Sequence, residues 1–247
     1  MILPETYFIC GANSVIGSEF AKYIHNKNQH LILFYHQKTD RINDLLDLGV
    51  ASFQVDITDF TAFQNKIRLL SASYNFQNIG AVFFPAVRSY DHKPLRETSE
   101  DLVKEIIKVN LWGAVNFLQG ILALPNVEST RIVLFGSYVS KTGLKNGSIY
   151  AATKAALANL TKSVAQEEGP NKVLINTVSP GPVETDQDCF SEDYLQFRKE
   201  YYATQKKNSC LNKIADIKDI CTLVRFLTSF ENNHITGEEI FITGGLF

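Results

Sequence analysis

Near its start the chain reads Thr6-Tyr7-Phe8-Ile9-Cys10-Gly11-Ala12-Asn13-Ser14-Val15-Ile16-Gly17: a short apolar run, a glycine turn and the beginning of a helical pattern. A helix that starts straight after a strand leaves its first N–H groups without intrahelical partners. The helix dipole adds a positive field at the same end, so both features favour a phosphate there. Gly11 allows the tight turn, and Gly17 lets the helix lie close to the sheet. Two glycines beside a strand end are also ordinary turn punctuation, so this stretch alone leaves both readings open.

Outward from that segment, apolar runs alternate with helical patterns. After Thr6–Cys10, strands are expected at Leu31–Tyr35, Ala51–Val55, Ala81–Pro85, Arg131–Phe135, Val173–Val178 and Glu239–Thr243. Each is rich in Val, Ile, Leu or Phe without strict alternation, as strands buried on both faces are. Helices are expected over Thr98–Leu124 and Ile149–Glu168, among others. Strand and helix in alternation imply an α/β fold of the Rossmann type. It is doubly wound, with a seven-stranded parallel sheet and helices on both faces. With no repeat, linker or low-complexity tract, residues 1–247 are expected to form one domain. The stretch from Ser179 to about Asp216 reads as the long irregular segment, and a substrate lid is expected around residues 183–212.

Composition narrows the function classes. The 247 residues carry 24 Lys and Arg against 26 Asp and Glu, a formal net charge of −2, with no long basic stripe. Nucleic acid and anionic membrane are therefore not expected as partners. Cys10, Cys189, Cys210 and Cys221 form no CxxC pair, so no metal site is expected and a reducing cytoplasm suits them. The first ten residues lack a basic n-region, and the longest apolar run, Ile79 to Val87, is too short to cross a bilayer.

The strongest chemical signal is Tyr150-Ala151-Ala152-Thr153-Lys154. Residues four apart share a helix face, so Tyr150 and Lys154 can address one carbonyl. A free tyrosine has a pKa of about 10, and a neighbouring ammonium favours its phenolate. Ser137 precedes Tyr150 by 13 residues and follows an apolar strand, at the sheet edge where open α/β sheets bind ligands. It can hydrogen-bond the substrate oxygen as charge develops there. Each feature alone is commonplace; their joint order within the strand–helix pattern is not.

Taken together, these motifs resemble the short-chain dehydrogenase/reductase family, in its single-domain branch, over nearly the whole chain. The resemblance implies catalytic roles for Asn110, Ser137, Tyr150 and Lys154, with Asn110 holding a water that links Lys154 to solvent. It implies cofactor contacts from Gly11, Asn13, Ser14, Val15 and Ile16 in the first turn, and from Tyr35 and His36 after the second strand. Asp56 and Ile57 would flank the adenine and Ala86 would approach the ribose. Tyr150 and Lys154 would lie at the nicotinamide, with Pro180, Gly181, Val183 and Thr185 beside it. Two segments depart from the family pattern. Val15 stands where the family has a glycine, adding bulk and disfavouring positive φ, so a displaced pyrophosphate or weaker binding is expected. Phe84-Pro85-Ala86-Val87 replaces Asn-Asn-Ala-Gly.

No carboxylate stands at Tyr35, and His36, Lys38 and Arg41 follow, which favours NADP(H) over NAD(H). The resemblance extends to 3-oxoacyl-(acyl-carrier-protein) reductases. It implies reduction of a 3-oxoacyl thioester or related ketone, a small-molecule or carrier-bound acyl substrate, and a homotetramer or dimer paired through the long helices. Two alternatives stay open: an NAD-dependent alcohol or sugar dehydrogenase, and a non-catalytic dinucleotide sensor. Phe190, Tyr194, Phe197 and Tyr201 recur at helical spacing, as a pocket lining or as packed core. Arg198, Lys199, Lys206 and Lys207 suit an acidic carrier or a solvated face.

Overall fold

The computed structural model describes residues 6–84, 93–185 and 192–246. Seven strands form one parallel sheet in the order β3-β2-β1-β4-β5-β6-β7. They are β1 (Thr6–Cys10), β2 (His30–Tyr35), β3 (Ala51–Gln54), β4 (Asn78–Phe83), β5 (Ser129–Phe135), β6 (Val173–Pro180) and β7 (Glu239–Ile242). The order reverses between β1 and β4. Chains leaving those two strands diverge, which opens a crevice at the carboxyl edge.

Alternate residues of each central strand enter different apolar layers. Phe8 and Cys10 pack with Phe34, Phe63, Phe83, Phe117 and Leu157 on one face. Tyr7 and Ile9 pack with Phe20, Ile24, Phe84, Phe135 and Val224 on the other. The first layer is closed by α3 (Phe60–Ser73), α5 (Gly113–Leu122) and α7 (Ser148–Glu168), the second by α1 (Val15–His25) and α9 (Ile217–Leu227). Two short helices, α2 (Asn43–Asp47) and α6 (Val139–Thr142), follow β2 and β5.

Three expectations are corrected. The helix expected over Thr98–Leu124 is α4 (Glu100–Ile107), one π turn over Lys108–Trp112, then α5. The π turn surrounds Asn110, and such bulges favour functional positions. The stretch read as irregular from Ser179 to Asp216 contains the end of β6 and a long helix, α8 (Glu192–Asn208). The fourth strand starts at Asn78, three residues before the expected Ala81. Ala86, Pro85 and Val87 lie outside the described residues, as does Phe190; the side chains of Tyr194 and Phe197 also lie outside the description.

Phe117 is fully buried, with its ring 5.4 Å from Phe83 and 6.2 Å from Phe63. Phe117→Ala should lower the unfolding free energy by about 3–5 kcal/mol, read as a lower urea midpoint at unchanged m-value.

Candidate active site

The crevice between β1 and β4 opens into a cavity of about 880 Å³, within the usual range for ligand pockets. At one end lie Tyr35, His36, Gln37 and Lys38 after β2, with Asp56, Ile57 and Thr58 after β3. The first turn contributes Gly11, Asn13, Ser14, Val15 and Ile16. Ser137, Tyr150, Lys154, Pro180, Gly181 and Thr185 line the other end.

The first turn is built as an anion cradle. Gly11 has φ +77°, and a Cβ on it would fall 1.7 Å from the Phe84 carbonyl oxygen, so only glycine fits. Ser14 caps α1, its hydroxyl accepting the Gly17 N–H at 3.1 Å. Val15 and Ile16, in the first turn of α1, line the cavity, and no acidic residue stands in that turn. Val15 is the first helical residue, with no positive φ to strain it. Its substitution for glycine therefore adds bulk to the cavity without distorting the backbone. Beneath the turn, Phe84 packs on Phe20 at 5.7 Å and Phe135 at 5.1 Å. Aromatic packing thus holds the end of β4 where the family has asparagines.

Asn13 lines the cavity while its side chain is engaged by the loop after β2. Its amide donates to Asp40 at 3.1 Å and its carbonyl accepts the Arg41 N–H at 2.9 Å, tying the glycine turn to the loop after β2. Asp56 accepts both the N–H and the hydroxyl of Thr58, at 2.9 and 2.8 Å, and lies 3.9 Å from His36. Burial by itself would raise the Asp56 carboxyl; the Thr58 hydrogen bonds, His36 and Lys108 outweigh it and hold the group below the usual carboxylate range.

At the opposite end, α7 presents Tyr150 and Lys154 to the cavity from one helix face. Lys154 is 1% exposed; its ammonium donates to the Phe135 carbonyl at 2.8 Å and lies 5.5 Å from the centre of the Tyr150 ring. Burial pushes its pKa down from 10.5 to about 7. Ser137 stands just beyond β5, half-buried on the cavity wall. Asn110 does not line the cavity. It is fully buried behind the pair, its amide donating to the Thr153 hydroxyl at 3.3 Å, and Thr153 in turn donates to the Tyr150 carbonyl at 2.7 Å. Asn110 Oδ1 is buried with no hydrogen-bond partner among the described residues, as in sites completed by water.

Val183, expected beside the nicotinamide, is not among the residues lining the cavity. It is buried in the apolar layer and bridges Ala215, while Thr185 lines the cavity. Residues that sequence reading missed include Phe34, Phe83, Thr58 and Lys108, all on the cavity wall. Phe34 and Phe83 stand at or next to strand ends, Thr58 in the loop after β3 and Lys108 in the π turn, and none belonged to a chemical motif.

Among the described residues no cluster of His, Cys, Asp or Glu could hold a metal ion, and no helix is long and apolar enough to cross a membrane. The cavity instead suits a dinucleotide, with a backbone anion cradle at its middle, a polar pocket at one end and a Tyr–Lys–Ser group at the other.

Comparisons with known proteins agree with the fold. A family model described as enoyl-(acyl carrier protein) reductase matches residues 11–247. The chain belongs to the short-chain dehydrogenase/reductase family and is a dinucleotide-binding oxidoreductase. It is 25% identical to the 3-oxoacyl-(acyl-carrier-protein) reductase of Buchnera aphidicola over 98% of this chain and 97% of that one. Against the Staphylococcus aureus protein of the same name the identity is 26%, covering 100% of each chain. Among solved structures, a short-chain dehydrogenase/reductase from Serratia marcescens superposes with a TM-score of 0.84 at 23% identity, covering 99% of this chain and 98% of that one. A 3-oxoacyl (acyl-carrier-protein) reductase from Agrobacterium tumefaciens, with NADP bound, gives 0.81 at 24%, covering 99% and 95%.

The buried amine makes a pH prediction. Lys154 titrates lower in the folded chain than in the unfolded one, so it adds no penalty above pH 10.5, where it is neutral in both. As pH falls from 10.5 towards 7, the unfolded chain takes up a proton that the folded one resists, and stability drops. The unfolding free energy of the wild type minus that of Lys154→Met should therefore rise by a few kcal/mol between pH 7 and 10. A flat difference in urea titrations would refute the shift.

Proposed function

We propose that the protein is an NADPH-dependent ketoreductase acting on a 3-oxoacyl thioester or a related ketone. The observation that carries the reading is the meeting of Ser137, Tyr150 and Lys154 on one cavity wall, at the end opposite His36, Lys38 and Asp56. A nicotinamide dinucleotide, when bound, supplies the hydride. Gly11, Val15 and Ile16 would hold its pyrophosphate, Asp56 and Ile57 its adenine, and Pro180, Gly181 and Thr185 its nicotinamide end.

The chain's own residues handle the proton and the charge. Ser137 donates a hydrogen bond to the substrate oxygen and stabilises the charge that builds there. Tyr150 gives that oxygen its proton. Lys154, held at the Phe135 carbonyl, balances the negative charge left on Tyr150. Lys154 then returns a proton to Tyr150, and Asn110, through its unmatched Oδ1, holds a water that replaces that proton from solvent. The family description names an enoyl reductase, whereas the full-length relatives are named as 3-oxoacyl reductases. Two hydroxyls, of Ser137 and Tyr150, on the same cavity favour a carbonyl, whose oxygen gains charge on reduction.

NADP(H) is favoured because His36 and Lys38 line the cavity beyond β2, where Tyr35 stands without a carboxylate. We also read α8 as the lid. Tyr201 on that helix is hydrogen-bonded to Tyr138, the neighbour of Ser137, and Arg198 donates to the Thr185 hydroxyl. Ile107 and Trp112, 42% and 48% exposed on the long helices, support pairing into a dimer or tetramer.

The test is NADPH oxidation with 3-oxoacyl, simple ketone and enoyl thioester substrates. Tyr150→Phe should lower kcat/KM for the ketone by about a thousandfold. Turnover of the enoyl substrate alone would overturn the carbonyl reading, and cofactor binding without any turnover would favour a sensor. In a fluorescence titration, Lys38→Ala should weaken NADPH about fivefold and NADH hardly at all. Equal losses would refute the assignment to the 2′-phosphate.

A further inference from the structure

Glu239, the first residue of β7, is not among the residues lining the cavity, yet it joins the two segments that do so at the catalytic end. Its Oε1 accepts the Ser140 hydroxyl at 2.5 Å and the Ser179 hydroxyl at 2.6 Å. Short hydroxyl–carboxylate bonds of this kind are charge-assisted and about twice as strong as neutral ones. Ser140 lies in the turn begun by Ser137, whose carbonyl accepts the Ser140 N–H at 3.0 Å. Ser179 is fully buried and immediately precedes Pro180 and Gly181.

The backbone is shaped around this link. A Cβ at Gly136 would lie 2.2 Å from Ser179 Oγ, so the residue before Ser137 must be glycine for the hydroxyl to occupy its place. Lys141 adds a second tie between α6 and β7, its ammonium 5.8 Å from the Phe241 ring. One carboxylate oxygen thus fastens together the carboxyl ends of β5 and β6 from the neighbouring strand.

We propose that Glu239 is a positioning residue, which holds the Ser137 turn against the Pro180–Gly181 segment so that the Ser137 hydroxyl stays aimed at the reacting oxygen. This rests on the role given to Ser137 above. A mislaid oxyanion donor is felt in the transition state more than in ground-state binding. Glu239→Ala should therefore lower kcat about tenfold, with KM for ketone and NADPH within about threefold. Glu239→Gln keeps an oxygen able to accept both hydroxyls and should restore kcat to within about threefold. Ser140→Ala should lower kcat too, and adding it to Glu239→Ala should cost little more, because the two act through one link.

A second readout needs no turnover. In the protein without cofactor, amide hydrogen exchange across residues 136–141 should speed up about tenfold in Glu239→Ala and stay at the wild-type rate in Glu239→Gln. Wild-type kcat and wild-type exchange in Glu239→Ala would overturn the proposal, as would a glutamine variant no better than alanine. If the wild type itself reduces no carbonyl, the proposed reaction has failed, and exchange alone then decides whether Glu239 holds the turn.

Discussion

A primary amine with 1% exposure is the constraint around which the catalytic end is arranged. Removing Lys154 from water disfavours its ammonium, and the Phe135 carbonyl at 2.8 Å offsets part of that loss. The balance leaves a group that titrates at about 7, half-way between a fixed charge and a neutral amine. Such a group responds strongly to charge nearby. Negative charge appearing on the Tyr150 oxygen favours the ammonium, and its removal releases the proton. A fully solvated lysine would stay charged throughout and respond to nothing. Burial is therefore what makes Lys154 useful, and the packing of α7 on β5 and β6 is what makes burial possible.

The rest of the scaffold serves the reversal between β1 and β4. Gly11 must pass so close to the Phe84 carbonyl that no side chain fits. The end of β4 must accordingly stay fixed, and Phe84 achieves this by packing between Phe20 and Phe135. Phe135 is the residue whose carbonyl holds Lys154. The cradle at the middle of the cavity and the amine at its catalytic end thus lean on the same aromatic cluster. An apolar solution at this point holds the shape but presents no polar side chain to a ligand, unlike the asparagines it replaces.

The central strands were legible because burial on both faces forces continuous apolar runs, and the Tyr150–Lys154 spacing was legible because a helix face repeats every four residues. Other features required tertiary information. The glycine and prolines at 180–182 read as the start of a long irregular stretch, and hid a helix whose own sequence, Glu192–Asn208, contains neither residue type. Val183 and Thr185 looked equivalent in sequence, but a bridge to Ala215 turns the first into the core. The bonds that tie the Asn13 side chain to Asp40 and Arg41 could not be read from the sequence. Glu239 gave no signal at all, because its partners are 60 and 99 residues away.

The two ends of the cavity differ in how much sequence change they tolerate, and the difference has one cause. A cradle made of backbone N–H groups and a helix end depends on φ and ψ, which Val15 satisfies as an ordinary first helical residue. Its family glycine can be lost with a change of volume alone. Proton transfer depends on side-chain atoms at fixed places, for which no backbone group substitutes. That asymmetry allows Val15 and Phe84 to depart from the family pattern while the geometry of the cradle is kept.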